Sequence, residues 1–166
     1  MTLTDVLPSL RRSLPDPLAA HLWPAATTAT VDDLVVAGVS MLRLVALCDT
    51  PCVHTAPAPV PGSRGRASLV DDVTVVVLRV VDVLRRPGDV RVLLLDGDLA
   101  DLPAVVHELR LVGRASTAHD AAHVVRAGAG GSTPVVVDLP SDLRPGDLVA
   151  CPCPGDVALR QVRGDR

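Results

Sequence analysis

The chain has 166 residues, 48% hydrophobic and 21% charged, with a formal net charge of −3. That length supports one domain with a real core and is short for two. The slight acidity and the single aromatic residue, Trp23, argue against nucleic-acid binding, which draws on basic patches and stacking platforms.

Lys, Ile, Asn, Phe and Tyr are absent, and all 16 basic side chains are Arg. Those five residues share AT-rich codons, so a GC-rich coding sequence accounts for their absence. The chemical consequence stands regardless: without Lys the chain has no internal amine for a Schiff base with pyridoxal phosphate or a carbonyl substrate. The longest apolar runs, 34–40 and 73–78, fall far short of the roughly 20 residues of a membrane-spanning helix. Asp5 comes early, and Arg11-Arg12 follows the first apolar stretch, the wrong order for a secretion signal. The expectation is a soluble, cytoplasmic protein with no membrane contact and no cofactor.

In chain order, residues 1–21 contain Pro8, Pro15 and Pro17, which break any long helix and predict an irregular N-terminal arm. The pair Arg11-Arg12 reads as a solvated face. Residues 22–55 form a first strand and helix part. Within it, VDDLVVAGV (31–39) reads as a strand with a Gly turn, and Ser40 caps a short helix, MLRLVALC. Asp49-Thr50-Pro51 ends that helix, and CVHT begins another strand. Residues 56–68, rich in Pro and Gly, read as a linker or exposed loop.

Residues 69–166 carry the main part of the domain. VTVVVLRVVDVLRR and RVLLLDGD read as a hairpin across the turn Pro87-Gly88-Asp89. LPAVVHELRLVGRAS fits either a strand or a helical turn. PVVVDLP and GDLVACPCPG are strands separated by SDLRPG. The pattern predicts a mostly-β domain, a six- or seven-stranded β-barrel with one or two short helices, with a β-sandwich as the alternative.

Three stretches in order, Leu22–Thr55, Val75–Pro103 and Leu111–Leu159, resemble the diaminopimelate/ornithine-type decarboxylases, which depend on pyridoxal phosphate. LVGRASTAHD resembles V-G-R-x-C-E-S-G-D, and LPSDLRPGDLVA resembles L-P-x-D-x-x-x-G-D-x-L-A. The resemblance implies the β-barrel that forms the C-terminal domain of alanine racemase and these decarboxylases. The family's (β/α)₈ barrel, typically about 250 residues, is missing, and loop 56–68 stands in its place. Ser116 falls at the family's active-site Cys, Thr117 at the adjacent acidic position, and Asp120 keeps the last motif residue. Val157 replaces the Tyr of G-A-Y with Asp156 at the Ala, and Asp98 stands at the second Gly of D-G-G. Pro61-Gly62-Ser63-Arg64 is similar to a P-G-R phosphate contact.

These departures imply a non-catalytic binding or assembly module, a homodimer or the partner of a decarboxylase-like chain. The alternative is an accessory subunit whose Ser116, Thr117 and Asp120 complete an active site carried on another chain. If the family's dimer surface is kept, a two-fold axis falls near Leu111–Asp120. The richly apolar strands, VTVVVLRVVDVL above all, favour association.

Other residues invite chemistry. Cys48, Cys52, His54, Cys151 and Cys153 could supply a tetrahedral zinc site, for which Cys₃His is a permitted set, against the use of free Cys as a small core residue. In a strand, Cys151 and Cys153 share one face about 7 Å apart. His107, His119 and His123, with Glu108 and Asp120, suggest acid–base work. His119 and His123 share a face if AHDAAHVV is helical, and otherwise read as solvated loop residues. Residues 128–133 (GAGGST) suit a phosphate cradle or a hairpin tip.

Overall fold

The computed structural model describes residues 2–99, 101–126 and 134–164. The chain is mostly β, built around a nearly closed, barrel-like sheet. Short helix α1 (Leu3–Val6) and a 3-10 turn (Pro8–Arg12) open it. Strands β1 (Thr27–Ala29), β2 (Leu34–Val36) and β3 (Val39–Ser40) form a small antiparallel sheet. Helix α2 (Met41–Cys48) follows, its first turn capped by Ser40 Oγ, which accepts from the Arg43 N–H at 3.1 Å. The expected strand, Gly turn and capped helix are all present.

The large sheet is assembled from β4 (Cys52–Pro59), β5 (Ala67–Arg86), β6 (Val90–Leu95), β7 (Arg110–Val112), β8 (Asp120–Arg126), β9 (Val135–Pro140) and β10 (Leu148–Pro154). Its order is β7-β10-β5-β6-β8-β9, with β4 also paired to β5, and β9 comes up against β7. Helix α3 (Leu159–Arg163) closes the described chain. Among the described residues there are three short α-helices, one more than the upper expectation.

β5 organises the fold. At 20 residues it is far longer than a typical strand of about five to six. Its middle pairs with β4 and β10, and its last third pairs with β6 after a register shift between Val80 and Asp82. Val76 and Leu78 point into the barrel core with Leu93, Val125, Val149 and Cys151. Val75 and Val77 point the other way, into a second core with Trp23, Leu34, Val36 and Met41. A strand buried on both faces reads as a continuous apolar run, which explains VTVVVL.

Two expectations are corrected and two open readings are resolved. The loop 56–68 shortens to residues 60–66: β4 runs through Pro59 with Ala56 buried, and β5 starts at Ala67. Alternating inward residues outweigh the high Pro content, because β4 has a free edge where a missing N–H costs no ladder bond. AHDAAHVV contributes to strand β8, not to a helix, because β6 and β9 pair with it on both sides. The stretch 102–116, open to either a strand or a helical turn, resolves as a 3-10 turn (Val106–Glu108) followed by β7. Arg11, expected in solvent, is buried at 5% exposure.

Candidate functional site

The motif positions Ser116 and Asp120 lie where the N-terminal arm crosses the seam between β7 and β9. Arg11 reaches over from the 3-10 turn and grips Asp120 with two nitrogens, at 3.0 and 2.8 Å. Its remaining donors go to Asp16 Oδ1 at 3.1 Å and the Ala118 carbonyl at 3.1 Å. Burial alone would lower the Arg11 pKa, but Asp120 and Asp16 outweigh it and hold the guanidinium above its ordinary value. A buried cation is tolerable only when paired in this way.

Beside it, Ser116 is buried, donates to Asp142 Oδ1 at 2.6 Å and accepts from the Ala118 N–H at 3.1 Å. Arg114 binds Asp147 at 2.9 and 2.7 Å and Asp142 at 3.0 Å. Burial pushes the Asp142 carboxyl up, yet the Ser116 and Arg114 hydrogen bonds and the Arg114 charge leave it below its ordinary value. Thr117 is exposed, and Val157 is buried in the barrel core with its N–H donating to Thr74 Oγ1 at 3.0 Å. The structure thus brings Ser116 and Asp120 near one another but ties each to a structural partner. Thr117 and Val157 do not join them in a site.

A polar groove runs beneath the arm, lined by Arg11, Asp16, Arg110, Asp120 and Pro140. Arg110 donates to the Asp16 carbonyl at 2.7 Å. Burial pulls its pKa down, and the charges of Asp16 and Glu108 oppose that. Glu108 Oε2 accepts from Trp23 Nε1 at 2.9 Å, which docks the 3-10 turn onto the second core.

The cysteine and histidine sets are dispersed. Cys151 and Cys153 point into the barrel core, whereas Cys52 lies on the opposite side of the sheet in the second core, and Cys48 is exposed at the end of α2. A sheet separates the thiols, so the zinc set does not converge. Among the described residues no group of three or more His, Cys, Asp or Glu is placed to hold a metal ion. Burial pushes the Cys52 thiol to about 11. The Cys151 thiol is pushed up by its hydrogen bond to Cys153 and by burial.

His107 and His119 are exposed, while His123 is fully buried in the barrel, its Nδ1 2.8 Å from the Ala121 carbonyl. Burial holds His123 below its ordinary pKa, and the Arg91 charge adds to this. The sequence reading missed this inward imidazole, because a strand containing Ala121, Ala122 and His123 carries little apolar alternation. Residues 128–133 lie outside the described residues. Pro61–Arg64 form the β4–β5 turn, held by Ser63 bonding Val60 and Arg66, with Arg64 exposed.

A different surface stands out on the outward face of β5-β6-β8-β9. The pairings Leu84↔Val92, Val92↔Val124 and Val124↔Val136 place four apolar side chains in one row across four strands. Val92 is buried within the row, whereas Leu84 is 39% and Val136 62% exposed. The signal was present in the sequence as adjacent valines, Val124-Val125 and Val135-Val136-Val137, which make both faces of a strand apolar. No helix among the described residues is long and apolar enough to cross a membrane.

No known protein family matches this chain, and no curated protein sequence is significantly similar to it, so neither comparison links it to the decarboxylases.

Proposed function

We propose that this chain is a non-catalytic binding or assembly domain. The observation that carries the reading is the Leu84–Val92–Val124–Val136 row on an outward sheet face. Leu84, Val90 and Val136 stand exposed around the buried Val92, and apolar side chains gathered on one face mark an interaction site more often than ones scattered singly. The polar cluster supports the same reading from the other side. The groups that resemble a catalytic motif, Ser116 and Asp120, are engaged in holding the arm and the loop after β9. Ser116 donates to the Asp142 carboxylate, which the Ser116 and Arg114 hydrogen bonds hold below the ordinary carboxylate pKa and so make a weak base. No imidazole or amine is hydrogen-bonded to its hydroxyl among the described residues. The proposed likeness to a decarboxylase β domain enters through the barrel-like sheet alone, and no step of pyridoxal chemistry is assigned to these residues.

The test is the native size of the chain in extract of its source cells, by sedimentation with immunodetection and by cross-linking mass spectrometry. The expected result is a species well above 17.3 kDa, with cross-links leaving the chain near β6, β8 or β9. A species of monomer size without such cross-links overturns the reading.

A further inference from the structure

At the end of the barrel beside the Pro87-Gly88-Asp89 turn, two buried nitrogens on neighbouring strands have no hydrogen-bond partner: Nε of Arg91 and Nε2 of His123. Their residues are register neighbours on β6 and β8, and both side chains leave the sheet on the inward face, as do Leu93 and Val125 two positions on. His123 is fully buried, and the Arg91 side chain is 12% exposed. A carbonyl oxygen only accepts, so His123 Nδ1–H donates to Ala121 and Nε2 is the acceptor of the neutral ring. Arg91 donates to the Ser141 carbonyl at 3.3 Å, and its one ion-pair partner among the described residues, Asp89 at 3.9 Å, is 79% exposed.

The charges around this end are unevenly placed. Arg85 pairs with Arg91, so it too faces inward, exposed at the rim. Asp120 and Asp138 alternate with the inward residues and leave the sheet on its other side, where Asp120 engages Arg11. The loop after β9 brings Asp142 and Arg144, which pair with Arg114 and Asp147. No inward position of β6, β8, β9 or the last third of β5 holds a carboxylate among the described residues.

We infer that Arg91 Nε, His123 Nε2 and the Arg85 guanidinium frame a site for a small inorganic anion of the chloride type, occupied when His123 carries its proton. With the ring neutral, the two orphaned atoms are a donor and an acceptor. One water satisfies both by accepting from Arg91 and donating to His123. Proton uptake turns Nε2 into a second donor and sets two cations side by side where little water screens them. An anion accepts from both in charge-assisted hydrogen bonds and supplies the negative charge that the inward positions lack. Proton and anion therefore enter together, and each raises the affinity for the other. Burial and the Arg91 charge hold the imidazole below its ordinary pKa, which places filling of the site on the acid side of neutrality. The exposed Arg85 at the rim meets the incoming anion first. The site lies on the inward face and needs no partner chain, so it stands or falls apart from the assembly reading.

The experiment is urea unfolding of the purified full chain at pH 5 and pH 7, in sodium chloride or in sodium gluconate of equal ionic strength, whose anion is too bulky for the site. At pH 5 chloride is expected to raise the folded-to-unfolded ratio about tenfold over gluconate, read as a midpoint shift of about 0.5–1 M urea. At pH 7 the two salts are expected to give the same midpoint. The pH 5 difference is expected to vanish in His123→Leu and in Arg91→Met. A crystal grown at pH 5 in sodium bromide needs no variant, and an anomalous peak within hydrogen-bond distance of both nitrogens is expected. A chloride effect that is absent at pH 5, equal at both pH values or retained in His123→Leu overturns the inference. So does a bromide crystal with no anomalous peak between Arg91 and His123.

Discussion

Along the arm-covered seam, Arg11, Arg114 and Ser116 meet carboxylates at distances of 2.6–3.1 Å. On the outward face of β5-β6-β8-β9, Leu84 and Val136 stand partly in water, and Arg86 and Asp138 have no ion-pair partner among the described residues. The difference follows from what each region must do. The seam buries charge, and a buried charge without a counter-charge would cost more than the arm's docking returns. On the outward face Val92 is buried but Arg86 and Asp138 are exposed, so water solvates their charges and nothing inside the chain requires them to be neutralised. Satisfied polar groups report on folding, and unsatisfied surface reports on association.

The comparison breaks most sharply at Arg11. Replacing it by Leu leaves Asp120 and Asp16 facing each other across an apolar side chain. Urea unfolding is expected to show a loss of about 1–3 kcal/mol, below the range for a fully buried pair because the carboxylates of Asp120 and Asp16 keep 28% and 39% of their side-chain surface in water. A loss below 1 kcal/mol would mean that the arm is not docked as described. Ser116→Ala removes one hydrogen bond and leaves Asp142 with Arg114. The same measurement is expected to give about 1–2 kcal/mol with no change in the mass of the assembled species.

His123 gives the pH dependence. Its folded pKa lies below the ordinary value, so as pH falls the unfolded imidazole takes up its proton first. Its stability contribution is therefore fully present above about pH 6.5 and is lost as pH falls through that value toward the depressed folded pKa. Denaturant midpoints at pH 7 and pH 5 are expected to differ in the wild type and to converge in His123→Leu. An unchanged slope in that variant would place the titration elsewhere.

The cysteines sharpen the account of the two cores. One thiol, Cys48, is expected to react promptly with a disulfide reagent in the native state, and all 4 after denaturation. Prompt reaction of a second thiol would mean that one of the cores opens. The smallest effect belongs to the outward face. Val136→Thr under dilute conditions is expected to change unfolding free energy by no more than about 0.5 kcal/mol, since the side chain is largely in solvent.

Much of the architecture was legible along the chain. Ser40 before MLRLVALC marked α2, Pro87-Gly88-Asp89 marked the β5–β6 turn, and SDLRPG marked the turn between β9 and β10. These features are local: caps, turn residues and β-branched runs act over a few residues, so sequence alone determines them. The candidate site was not legible in the same way. Ser116, Thr117, Asp120 and Val157 fall at positions that resemble a catalytic motif, but their roles depend on partners far along the chain. Arg11 reaches Asp120 across 109 positions, and Ser116 reaches Asp142 across 26.

The pattern of short Val-rich runs between Pro, Gly and Asp turns determined the class of the fold, and composition by itself excluded an internal Schiff-base lysine. Only the tertiary structure decided that β8 is a strand, since it is the pairing with β6 and β9 that overrides the weak pattern of DAAHVVR. It also decided which cysteine faces which core, because alternation along a strand assigns two faces but does not say what covers each of them. And it alone aligned Leu84, Val92, Val124 and Val136, which lie on four separate strands, into one row. Strand register is set by long-range packing, so a surface built across strands exists only once the sheet has closed.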